Sequence, residues 1–167
     1  RVHLVRALLR TEGASAATRA LAAWAPGTPE AWRTLALPVR DHERTLPWLR
    51  RAYESGGALP LYGIYLSDAL LREGRREEVR AIAAGYATSG SPGARLAGEY
   101  LRARVEISEA QFGRAFDRMV RVLSEHDQHG HFLDGDTDCM TLLMELASLL
   151  GRGPEAADPL AQRFVLG

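Results

Sequence analysis

The feature that most constrains this chain is a helical hydrophobic period that recurs from end to end, with almost nothing to seed a sheet. Val2, Val5, Leu8 and Leu9 fall on one helix face, as do Leu66, Leu70 and Leu71, and later Phe112, Phe116, Met119 and Val120. Alternating runs of β-branched residues are nearly absent. Boundary signals cut the pattern into pieces. Thr28-Pro29 and Ser91-Pro92 each place a hydroxyl cap before a proline at the first helical position, where its missing N–H costs nothing. Ser108-x-x-Gln111 has the spacing of a capping box. Gly13, Gly56-Gly57, Gly74, Gly90 and Gly151 suit the left-handed residue that closes a last turn. These signals predict ten helices, at about 2–11, 15–25, 29–37, 45–54, 60–73, 75–88, 93–105, 109–125, 137–150 and 154–165. Most links between them are short, which makes consecutive helices antiparallel neighbours. The longer link is 126–136.

The helices pair in a repeating grammar. LREGRREEVRAIAAGY (71–86) reads as a helix end, a glycine turn, a charged helix start and then small residues. LLGRGPEAADPLAQRF (149–164) and LLRTEGASAATRALAAWA (8–25) follow the same order. Taking one marker just inside each second helix gives Thr18, Trp48, Val79, Ala115 and Ala156, at spacings of 30, 31, 36 and 41. A period in the thirties with two helices per unit is the mark of a helical solenoid. Each pair has an apolar face that only the next pair can cover, and small residues are needed where helices cross closely.

In PEAWRTLALP (29–38), Trp32, Leu35 and Ala36 stand in the W-x-x-L-small pattern that opens a tetratricopeptide repeat. Gly74 followed by REEV, and Gly151 followed later by PEA, resemble the turn and second-helix start of that repeat. Ala83 and Tyr86, with Ser91-Pro92 beyond, resemble its close. The chain therefore resembles a tetratricopeptide-type array. The resemblance implies an all-α, right-handed α-solenoid of about five antiparallel helix pairs, at about 1–27, 28–57, 58–90, 91–126 and 137–167. It departs from the pattern at Thr18, at Trp48 with Pro47 before it, and in the length of the fourth and fifth units.

In such an array the first helices of the pairs line a concave groove, and their outward residues meet the ligand. The resemblance places Glu30, Arg33, Leu37, Arg40, Ile64, Asp68, Arg72, Arg102, Thr141 and Glu145 there. Arg33, Arg40, Arg72 and Arg102 then suit an acidic or carboxylate-bearing peptide, held by bidentate hydrogen bonds. The competing reading is a solvated charged face. The family's carboxylate clamp uses Lys and Asn, and this chain has neither, so a receptor for chaperone tails is not implied. The expected role is a non-enzymatic interaction or scaffold module with no cofactor, binding a protein, a peptide or a neighbouring domain.

One stretch invites a chemical reading. HDQHGHFLDGDTDC, from His126 to Cys139, holds three of the five histidines, four aspartates and the only cysteine. His126, His129 and His131 can supply imidazoles to zinc, although their spacing matches no defined zinc signature. Asp134, Asp136 and Asp138 resemble the start of an EF-hand calcium loop, with Glu145 where the closing ligand belongs. Cys139 stands where that loop needs glycine for its sharp turn. The simpler reading caps the helix near 137 with Asp136 or Asp138 and leaves the histidines in solvent. The alternatives to the scaffold are thus an enzyme's accessory domain with a metal-binding loop, and a ligand-sensing regulator with a closed apolar cavity between pairs. Cys139 reads as a buried structural thiol, and Trp24, Trp32 and Trp48 as packing between repeats rather than an aromatic box.

Composition adds exclusions. The 21 basic residues, all arginine, balance 21 acids, so no global field draws nucleic acid or an anionic membrane. Arginine without lysine fits a GC-rich bacterial genome. No apolar run approaches the length of a membrane span. A start at RVHLVRALLR, without Met, reads as the edge of a longer protein, and a lone cysteine fits the cytoplasm. No nucleophile elbow, phosphate loop, dinucleotide fingerprint or His-Glu-x-x-His is present.

Overall fold

Proline, serine and left-handed residues mark several of the helix boundaries. The computed structural model describes residues 42–56, 60–126 and 137–166, together with Ala16 and Arg19, both helical. The described residues form seven helices and no strand. These are α1 (His42–Gly56), α2 (Pro60–Arg72), α3 (Arg76–Ala87), α4 (Pro92–Ser108), α5 (Phe112–His126), α6 (Thr137–Leu150) and α7 (Gly153–Leu166). They match the last seven expected helices within three residues at each end. The expected helices at 2–11 and 29–37, and all of 15–25 except Ala16 and Arg19, lie outside the described residues. The contacts divide the chain into two units, Arg1–Gly74 and Arg75–Gly167.

In the first unit, α1 packs on α2. Leu46, Leu49 and Ala52 are buried at helical spacing. Pro47 lies inside α1, which begins three residues earlier than expected. Its missing N–H costs one bond near the start, so the helix survives it. Pro60 opens α2 at the favoured first position. This helix is buried around most of its circumference, through Tyr62, Ile64, Leu66, Ser67, Ala69 and Leu70.

In the second unit, α3 packs on α4, α4 on α5, α5 on α6, and α7 on both α6 and α5. The stripe on α3 is Val79, Ile82, Ala83 and Tyr86, the i, i+3, i+4, i+7 set of an amphipathic helix. Helix α4 is flanked on two sides and buries Ala94, Leu96, Ala97, Tyr100, Leu101, Ala103 and Val105. Ser91 caps it as expected, its hydroxyl accepting from the Ala94 N–H at 3.4 Å with Pro92 following. Phe116, Met119, Val122 and Leu123 of α5 and Leu143 of α6 complete a fully buried core. Each such side chain removed from water contributes roughly 1.5–3 kcal/mol.

Three turns share one design. Gly74, Ala110 and Gly151 each take a left-handed conformation, with φ of 72°, 58° and 68°. After α4, Gln111 N donates to Glu106 O at 2.8 Å and Ala110 N to Ile107 O at 3.0 Å. After α6, Arg152 N donates to Ala147 O at 2.9 Å and Gly151 N to Ser148 O at 3.4 Å. Both are the paired bonds of a Schellman motif, which satisfy carbonyls a helix end leaves open. Five residues beyond each left-handed residue stand Val79, Ala115 and Ala156, all buried. These three sequence markers thus follow their left-handed residue at the same distance.

The expected capping box does not form. Helix α4 continues to Ser108, whose hydroxyl donates to Val105 O at 2.7 Å and accepts from Arg76 Nε at 2.9 Å. Gln111 instead precedes α5, its carbonyl accepting from Ala115 N at 3.1 Å. Helices α3 and α4 meet closely at Gly98, where a Cβ would lie 2.9 Å from the Ala83 carbonyl oxygen and 3.2 Å from Tyr86 Cβ.

Candidate functional site

Charge in the second unit gathers where three helices meet. Helix α4 presents Arg102, Val105 and Glu106, followed by Glu109 in the turn, at i, i+3, i+4 and i+7. Gln111 and, on α5, Arg114 and Arg118 follow at i, i+3 and i+7, and Arg80 joins from α3. Together they line a concavity of about 410 Å³. Its four arginines face two glutamates in the lining, and Glu77 and Glu99 pair with Arg80, Arg102 and Arg118 from beside it.

The arginines are held to different degrees. Arg118 grips Glu106 with two bonds, Nε at 3.0 Å and Nη2 at 2.7 Å, and pairs with Glu99 through Nη1. The hydrogen bond to Glu106 raises the Arg118 pKa above the ordinary guanidinium value. Glu106 is a buried acid that this fork neutralises. Arg80 donates through Nη2 to Glu109 at 2.5 Å and through Nη1 to Glu77. The Glu109 bond is the main reason its pKa is also raised. Arg102 donates to Glu99 at 2.6 Å, and Arg114 to the Gln111 side chain at 3.2 Å. A guanidinium has five N–H donors in a planar fork, so Arg102 and Arg114 keep most of theirs for a ligand. The lining can therefore bind carboxylates bidentately.

A second charged junction is structural. Arg152, just after the Gly151 turn, donates to Asp117 of α5 at 2.8 Å and to both carboxylate oxygens of Glu155, at 2.8 and 2.5 Å. Its guanidinium stacks over the Phe116 ring, 4.2 Å from the centroid. These bonds raise the Arg152 pKa, and Arg152 holds the Glu155 carboxyl below its usual range. As with Arg80 and Glu109, a helix residue meets a residue beside a later turn, but the signs are exchanged.

Of the groove residues expected from the sequence, Arg102 lines the concavity. Ile64 is a correction. It is 6% exposed, because α2 is buried on nearly all sides, and it offers no outward contact. Asp68 is half-buried, and Arg72 is exposed at the end of α2. Glu145 and Thr141 are exposed on α6. Glu30, Arg33, Leu37 and Arg40 lie outside the described residues. Arg80, Glu106, Glu109, Gln111, Arg114 and Arg118 were missed. For all but Arg80, the helical spacing along α4, its turn and α5 was the available signal.

His129, His131, Asp134 and Asp136 also lie outside the described residues, while His126 ends α5 and Asp138 lies in the first turn of α6. Residues 137–150 form one continuous helix, which sets Asp138 and Glu145 about two turns apart on α6. Among the described residues, no three His, Cys, Asp or Glu side chains converge as metal ligands do. Cys139 is a buried thiol on α6, and Trp48 is half-buried on α1. No described helix is long and apolar enough to cross a membrane. Comparison with protein-family models, curated proteins and solved structures gives no match for this chain.

Proposed function

We propose that this chain is a non-enzymatic interaction module of the tetratricopeptide type, a right-handed solenoid of antiparallel helix pairs that receives an acidic segment of a protein or peptide. The observation that carries this reading is the arginine-rich concavity across α3, α4 and α5. Arginine forks match carboxylate geometry, and an open site of a few hundred Å³ suits a short peptide segment. The two equivalent junctions, Arg80 with Glu109 and Arg152 with Asp117, support stacking of successive pairs.

The test is selection from a random peptide display library on the intact chain at low salt. Enrichment of Asp and Glu is expected, with binding that weakens as ionic strength rises. Enriched peptides without acids, or affinities indifferent to salt, would overturn the reading.

A further inference from the structure

We propose that Glu109 is an internal stand-in for the ligand, occupying Arg80 until an incoming carboxylate takes its place. This rests on the reading above, that the concavity accepts an acidic segment. The two glutamates of the lining are built differently. Glu106 is fixed by a two-bond fork from Arg118, and its side chain is 12% exposed. Glu109 makes one bond, to Arg80, and its side chain is 27% exposed. It sits beyond the end of α4, beside the left-handed Ala110, so its side chain can swing into water without disturbing a helix. Arg80 stays in place when Glu109 leaves, because Glu77 holds its other terminal nitrogen. Arg102 and Arg114, with one hydrogen bond each, supply the first attraction. The incoming acid then pairs with Arg80 at Nη2, and the Glu109 carboxylate becomes solvated. No charge is buried unpaired at any point, which keeps the exchange inexpensive.

The probe is a fluorescently labelled hexaglutamate peptide, titrated with the intact chain and followed by anisotropy. Removing the competitor by Glu109→Gln, or by Glu109→Ala, tightens binding by roughly two- to fivefold, the range a partly exposed ion pair spans. Glu125→Gln on α5 makes the same charge change on an exposed residue away from the lining and leaves affinity unchanged. Arg80→Gln weakens binding and abolishes the gain from Glu109→Gln in the double variant. The exchange is overturned if the peptide binds but neither Glu109 variant binds more tightly. It also falls if the gain survives Arg80→Gln or if Glu125→Gln matches it. If hexaglutamate binds neither the natural chain nor any variant, the acidic-segment reading itself fails, and the exchange with it.

Discussion

The matched turns after α4 and α6 allow a reciprocal test of backbone strain. Ala110 and Gly151 take nearly the same φ, 58° and 68°, within the same pair of hydrogen bonds. For an L-residue this conformation costs about 1–2 kcal/mol. Glycine escapes that cost but gains freedom in the unfolded chain worth about 0.4–1 kcal/mol. Ala110→Gly should therefore stabilise the second unit by about 0.5–1 kcal/mol, since the exposed methyl it removes buries little. Gly151→Ala should destabilise by a similar amount. A Cβ there meets nothing within 4 Å, so the whole effect is conformational. The assay is urea unfolding followed by circular dichroism. With a slope of about 2 kcal/mol/M, the midpoints should move in opposite directions by about 0.3–0.5 M. If Ala110→Gly lowers the midpoint, or both variants move it the same way, the turns do not carry the strain their dihedrals imply.

Two further changes probe packing and charge. Gly98→Ala forces a Cβ to 2.9 Å from the Ala83 carbonyl oxygen, and overpacking of about 1–3 kcal/mol outweighs a helix-propensity gain of about 1 kcal/mol. Thermal melts should show a loss, whereas Gly113→Ala, where a Cβ meets nothing within 4 Å, should not lower stability. Glu155 is held below its ordinary value of 4.5 by Arg152, so its contribution is complete at neutral pH and is lost as pH falls through the depressed folded value. Glu155→Gln should therefore lower the melting temperature at pH 7, and the gap to the natural chain should close as pH falls below the ordinary carboxylate range.

The helices were legible because period, proline and glycine are local signals. Val79, Ala115 and Ala156 could be aligned from the sequence because each follows a turn by a fixed number of residues. Ala110 was not recognised as the equivalent of Gly74 and Gly151, because its side chain gives no hint of a left-handed backbone. Ser108 misled for a related reason: its spacing to Gln111 suits a cap, but the end of α4 lies three residues later than expected. Ile64 was placed outward by the resemblance, yet it is buried, and which faces of a helix are covered is a matter of packing rather than of local sequence. The concavity was harder still. Only Arg102 was anticipated, since convergence of Arg80, Glu109 and Arg118 is a property of how three helices pack.

The exchange of signs between the two junctions bears on how consecutive helices find their neighbours. Amphipathic helices of similar length invite one to be skipped, so that the wrong neighbours dock. Here the α3 junction offers Arg80 to Glu109, and the α5 junction offers Asp117 to Arg152. If α4 and α5 were looped out, the turn carrying Arg152 would arrive at Arg80, cation against cation. Opposite polarity at the two junctions thus penalises that mispairing without any loss to the native packing.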